Sequence, residues 1–208
     1  MPESLSELEE LGPGGPLVYG SLPYEPGARL RLAALLLKRL GELIPRWRDA
    51  ATGRISLTFT YLGQPKLLVD GRPGPGVSFS QAGDRLWGAV AARGRVGLEL
   101  VPRTWRPAEP LSPSPELQEA ARLLARLGGD PREAPALLRA LGSAALKAIG
   151  VGCRYTSPDQ LSISAPTLWP GGLRCAVRAG GLVPAFARRE GAFWLALALR
   201  AGFEDLAR

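Results

Sequence analysis

Any chemistry in this chain is done without histidine, because the sequence contains none. That excludes Ser-His-Asp and Cys-His nucleophile systems, histidine general bases and His-bound zinc. Acid–base work falls to carboxylates, Lys147, tyrosine, cysteine or water. Cys153 and Cys175 are too few for a disulfide scaffold or a structural zinc site. They read as small buried hydrophobes of a reducing compartment. Four segments carry polar groups against an apolar background. Gly63-Gln64-Pro65 is a turn after a strand. Ser78-Phe79-Ser80-Gln81-Ala82-Gly83-Asp84 is a polar cluster between two apolar strands. In Val96-Gly97-Leu98-Glu99-Leu100-Val101 a carboxylate interrupts an apolar strand. In Leu146-Lys147-Ala148-Ile149-Gly150 a lone lysine sits on an Ala/Leu-rich helix. Singly, each has a plain reading. Glu99 faces solvent from an amphipathic strand, Lys147 snorkels along the surface, and Ser80 is a turn residue.

The elements that must position these residues follow from periodicity. Leu32, Leu35, Leu36 and Leu40 fall at helical spacing, predicting a helix over 28–43 closed by Pro45. Strict alternation predicts a half-buried strand over 55–61. Further strands are expected over 77–80, 85–92 and 95–101, the last two joined as a hairpin at Arg93-Gly94. Ser114-Pro115-Glu116 starts a helix, with a cap, a proline at the first position and an early carboxylate. Asp130-Pro131-Arg132-Glu133 reads as a capping box for another, ending at Gly150. Strands are expected over 160–165, 173–178 and 193–200. Residues 1–26 read as an irregular lead-in, and the prolines from Pro102 to Pro115 as a linker. The order is helix then strands, twice. The expected fold is α+β with two similar halves, an N-terminal lobe over 1–102 and a C-terminal lobe over 103–208.

Composition bounds the setting. Hydrophobic residues make up 46% and charged residues 22%, ordinary for a folded protein. No apolar run reaches the roughly 18 to 20 residues of a membrane span. The N-terminus lacks the basic flank and apolar core of a signal peptide. A cytoplasmic protein is expected. The net charge is +7, carried almost wholly by arginine, since lysine occurs only at Lys38, Lys66 and Lys147. The arginines are spread along the chain, with no basic run interleaved with aromatics, so nucleic acid is not the expected partner. A basic surface equally suits a phosphate-rich small ligand or an acidic protein.

Together and in this order, the four segments resemble the 4'-phosphopantetheinyl transferase superfamily in its monomeric, two-lobed form. Gly63-Gln64-Pro65 resembles the family's G-K-P turn, and Ser78 to Asp84 its F-N-x-S-H-S-G-D. Val96 to Val101 resembles V-G-I-D-I-E, and Arg139 to Gly150 resembles W-T-x-K-E-A-x-x-K-A-x-G. The helix near Arg29 is similar to its Arg-bearing N-terminal helix. The stretch from Gln160 through Phe193-Trp194-Leu195-Ala196 is similar to its closing strands. The resemblance covers most of the chain. It implies two lobes related by a pseudo-twofold axis and transfer of the phosphopantetheine arm of coenzyme A to a carrier-protein serine. It also implies magnesium held by carboxylates on alternate strand positions and on the later helix. On this chain it points to Glu99 as metal ligand, Glu99 and Lys147 as catalytic residues, and Arg29, Gln64, Ser80, Gln81 and Lys147 as coenzyme contacts. The implied partner is an acyl or peptidyl carrier protein, and the implied state a monomer.

The departures from that pattern fall at the chemistry. Glu99 stands at the first aspartate. Val101 replaces the second carboxylate, and Gly142-Ser143 stand at the Lys-Glu pair. Gln81 replaces a phosphate-binding histidine, Gln64 a lysine, and Arg139 a tryptophan. Three readings follow. One is a divergent working transferase. Another is a catalytically inactive family member that binds coenzyme A, a carrier or another partner. The last is an unrelated α+β protein, a basic nucleic-acid binder included.

Overall fold

The computed structural model describes residues 4–8, 15–108, 114–151, 162–169 and 172–201. The chain is mixed α+β. In order it forms β1 (Ser4–Leu8), β2 (Leu17–Pro23), α1 (Ala28–Leu43), β3 (Ile55–Phe59), β4 (Pro65–Val69), β5 (Arg72–Pro73), β6 (Gly76–Ala82), β7 (Arg85–Ala91) and β8 (Arg95–Pro102). There follow α2 (Pro115–Arg126), α3 (Ala134–Ile149), β9 (Ser162–Trp169), β10 (Gly172–Arg178), β11 (Leu182–Glu190) and β12 (Phe193–Arg200). The pairs are antiparallel throughout. One sheet has the order β1-β2-β7-β6, a second β8-β12-β11-β10-β9, and a small third β3-β4-β5.

Apolar faces stack these parts into layers. Leu32, Leu36 and Leu40 of α1 pack with Val18, Leu86 and Val90 on one face of the first sheet. Its other face, Leu17, Tyr19 and Ala89, meets Leu98, Leu195 and Leu197 of the second sheet. The outer face of that sheet is covered by α2 and α3 through Leu123, Leu137, Leu141 and Ala144. Alternate strand residues therefore serve two different cores, which is why β7 and β12 are apolar on both faces.

Several boundaries agree with the sequence and several do not. The helix over 28–43 and the strand over 193–200 appear at those limits. Ser114 caps α2 by accepting from the Leu117 N–H at 3.1 Å. Residues 1–26 are not merely irregular, because β1 and β2 lie within them. Leu17, Val18 and Tyr19 are buried at the centre of the first sheet. The hairpin at Arg93-Gly94 does not form. There the chain leaves one sheet for the other, with Gly94 at φ +72°, and β8 pairs with β12. The strand ahead of the boundary at Pro102 thus joins the sheet built by the C-terminal half. The capping box closes only halfway. Asp130 accepts from the Arg132 N–H at 2.9 Å, while Glu133 turns inward to accept from the Trp194 indole at 3.0 Å. Burial opposes ionisation of Glu133, but the Arg103 hydrogen bond and the charges of Arg189 and Arg103 outweigh it and hold its carboxyl below the usual range. The expected strand over 160–165 begins at Ser162, and residues 160 and 161 lie outside the described residues. Cys175 is buried, and burial pushes its thiol up to about 12. Cys153 lies outside the described residues. Among the described residues no helix is long and apolar enough to cross a membrane.

Candidate functional site

The site grows from a seam. β6 and β8 are the edge strands of separate sheets and lie side by side without a backbone ladder. Edge strands leave N–H and C=O groups that need partners. Here side chains supply them. Ser78 Oγ accepts from the Leu98 N–H at 3.0 Å, and Ser80 Oγ from the Leu100 N–H at 3.3 Å. Lys147 Nζ donates to the carbonyls of Phe79 at 3.0 Å and Leu98 at 2.9 Å. Its third contact is Glu99 Oε2 at 3.0 Å. The other Glu99 oxygen accepts from the Ser80 hydroxyl at 2.7 Å.

Glycine at position 97 brings Lys147 within reach. A Cβ there would lie 1.8 Å from the Ala144 carbonyl oxygen and 2.8 Å from the Ala148 nitrogen. Only a bare backbone lets α3 settle so closely on β8. Glu99, two residues on and on the same strand face, then meets Lys147 as it projects from the last turn of α3. Gly150 ends that helix in the left-handed region at φ +92°. Its missing side chain leaves room for Gln64 Nε2 to donate to the Lys147 carbonyl at 3.3 Å and Arg95 Nη1 to the Ile149 carbonyl at 3.4 Å. Amide and guanidinium donors satisfy carbonyls at the negative end of the helix. The spacing Lys147-Ala148-Ile149-Gly150 is thus a tether, a close packing contact and a stop.

Above the seam opens a cleft of about 830 Å³, walled by the β3–β4 turn, the start of α1, β6 and the end of α3. Arg29, Gln64, Lys66, Arg95 and Lys147 line it, with no aspartate or glutamate among its described lining residues. Arg29 lies over the Phe59 ring, 5.9 Å from its centroid, and Tyr61 at the turn is almost fully exposed. The turn holds its shape because Gly63 takes φ +76° and the Gln64 N–H donates to Thr60 Oγ1 at 3.1 Å.

Arg29, Gln64 and Lys147 therefore face one cleft. Ser80 and Glu99 lie in the seam, outside the cleft lining. Gln81 is exposed at the end of β6 and joins neither group. Glu99 does not face solvent as a free carboxylate, Ser80 is a buried strand residue, and the Lys147 amine is bound by protein oxygens. Ser78, Lys66 and Arg95 are not among the site residues expected from the sequence. Lys66 was detectable as one of only three lysines, two residues after Gln64. Ser78 was detectable as the alternate-position partner of Ser80.

Magnesium does not fit this donor set. It needs near-octahedral oxygens at roughly 2.0 to 2.1 Å, usually including one or two carboxylates. Among the described residues Glu99 is the one carboxylate of this cluster, and its two oxygens are held by Ser80 and Lys147. Val101 is buried and apolar, and Ser143, one turn before Lys147, is buried and uncharged. A divalent ion about 4 Å from the ammonium would meet repulsion of roughly 8 kcal/mol at an effective dielectric near 20. Among the described residues no group of three or more potential His, Cys, Asp or Glu ligands converges. No protein-family model matches the chain, and comparison with curated proteins finds no match.

Proposed function

We propose that this protein is a 4'-phosphopantetheinyl transferase-like protein that holds coenzyme A in the cleft without transferring its phosphopantetheine arm. The observation that carries the reading is the charge of the cleft: Arg29, Lys66 and Arg95 line it beside Lys147, with no acidic residue among its described lining. A multiply charged phosphate ester suits such a wall, because charge-assisted hydrogen bonds to phosphate are strong and guanidinium groups bind it bidentately. The exposed Phe59 and Tyr61 rings offer faces on which a base can stack. The strand orders support the fold half of the reading. β2, α1 and the hairpin β6–β7 give the order β2-β7-β6; β8, α3 and the hairpin β11–β12 give β8-β12-β11. In each set a strand is followed by a helix and then by a hairpin whose second strand pairs with the first. That repetition is what two pseudo-twofold lobes require, with the second beginning at β8.

Each residue then has a defined task. Arg29, Lys66 and Arg95 bind phosphate oxygens. Gln64 and Gly63 shape the turn that closes one wall. Lys147 spends its three N–H groups on Glu99 and two carbonyls, so it holds the floor of the cleft rather than a ligand. Glu99 is committed to Ser80 and Lys147 and is not placed to take a proton from an incoming serine. The test pairs two assays. With coenzyme A, magnesium and an apo-acyl carrier protein, the carrier keeps its mass. In equilibrium dialysis with EDTA, labelled coenzyme A is retained by the protein. A carrier that gains the phosphopantetheine mass overturns the non-catalytic half. Dialysis without retention overturns the binding half.

A further inference from the structure

We infer that Lys147 is a tethered cation filling an oxygen cage, which is why this site takes no divalent metal. Three oxygens converge on Nζ: Glu99 Oε2 at 3.0 Å, the Phe79 carbonyl at 3.0 Å and the Leu98 carbonyl at 2.9 Å. An ammonium has three donors, and these acceptors use all of them. The cage carries the negative charge of Glu99, whose other oxygen is already occupied by Ser80. Its oxygens come from β6 and β8, edge strands of two different sheets, and its cation comes from α3.

Such a cage has a demand of its own. Two carbonyl dipoles and a carboxylate pointing at one place need a positive charge there, whatever the cleft above binds. The distances match an ammonium ion and exceed those of a magnesium sphere. The chain supplies that charge covalently, at no cost in bound ion. Truncating Lys147 to alanine removes three methylenes and the ammonium, the equivalent of n-propylammonium. The vacated cage is complementary to that ion and not to a bulky quaternary one that cannot donate hydrogen bonds. This inference concerns the floor of the cleft assigned to coenzyme A, but its test contains no coenzyme, so either reading can fail without the other.

The experiment melts Lys147→Ala in increasing n-propylammonium chloride and, at equal ionic strength, in tetramethylammonium chloride. The variant is expected to melt about 4 to 8 °C below the wild type, from the loss of charged hydrogen bonds at a partly exposed site. n-Propylammonium recovers at least half of that loss, tetramethylammonium does not, and the wild type responds to neither. Equal recovery by both salts, or recovery by neither, overturns the cage. In parallel the wild type and Glu99→Gln are titrated with Mn²⁺ and free metal is read by electron paramagnetic resonance. No wild-type site that Glu99→Gln abolishes is expected, and such a site would overturn the inference. Should Lys147→Ala fold in neither salt, the manganese titration of the wild type decides alone.

Discussion

Gly97→Ala is the sharpest perturbation of the way the site is positioned. The added methyl would stand 1.8 Å from the Ala144 carbonyl oxygen, part of the α3 backbone rather than a side-chain tip that can swing away. Carbon and oxygen need more than 3 Å, so α3 must retreat by about 1.5 Å from β8. Overpacking of this kind costs about 1 to 3 kcal/mol, and loosened contacts along a helix face add to it. The lower entropy of an unfolded alanine chain returns about 0.4 to 1 kcal/mol. The net loss is about 2 to 3 kcal/mol, or roughly 4 to 12 °C in Tm for a chain of this size. The same retreat stretches the Lys147 contacts to Phe79 and Leu98, so coenzyme A affinity falls in the folded variant as well. Urea titration followed by circular dichroism reads the stability, and an unchanged slope shows that the same surface is exposed on unfolding. A variant that melts within about 1 °C of the wild type and binds coenzyme A equally well would refute the close-packing explanation.

Other outcomes follow from the same contacts. Arg29→Ala, Lys66→Ala and Arg95→Ala should each weaken coenzyme A binding by about 2- to 10-fold, the discounted value of a charge-assisted contact from an exposed side chain. Fluorescence displacement measures this, and affinities unchanged in all three would remove the cleft from consideration. Glu133 should make the protein acid-sensitive. Its carboxyl lies below the usual range, so its contribution is present above the unfolded value near 4.3 and is lost as pH falls through the folded one. Glu133→Gln should cost about 1 to 3 kcal/mol at pH 7 and flatten the acid limb of the stability profile, since Arg103 and Arg189 lose their counter-charge. An acid limb identical to wild type would contradict this. In a Cys153→Ser background, Cys175 should resist thiol reagents at pH 8 until urea unfolds the chain, because the thiol is buried and burial pushes it up to about 12. Rapid labelling of the native protein would show that the strand opens.

Cap residues and Gly150 marked α3, in which no residue is exposed, whereas periodicity made α1 legible, because that helix buries one stripe and exposes another. Periodicity worked less well where a strand is buried on both faces. Leu17-Val18-Tyr19 sits among glycines and prolines and carries no alternation, so nothing local distinguishes it from a loop. Its pairing with β1 and β7 reveals it. Arg93-Gly94 has the residues of a hairpin turn, yet the flanking strands enter different sheets, a tertiary choice outside the range of turn chemistry. At the site, the residue types were visible and their relations were not. Glu99 and Lys147 stand out against apolar surroundings. That they meet depends on Gly97 letting one backbone approach another, and that they neutralise each other depends on the two carbonyls that fix Nζ. Ser80 read as a turn residue because serine is common in turns. Its actual work, replacing a missing ladder acceptor for Leu100, exists only once two sheet edges lie together.

The most direct measurement is calorimetric titration of coenzyme A into the EDTA-treated protein, repeated with magnesium restored at constant ionic strength. A saturable one-to-one isotherm with affinities within about twofold in the two conditions is the expected result. Binding that appears or strengthens tenfold or more with magnesium would contradict it, by showing that a metal works at the site assigned here to the ammonium of Lys147. Absence of binding in both conditions would contradict the coenzyme reading itself.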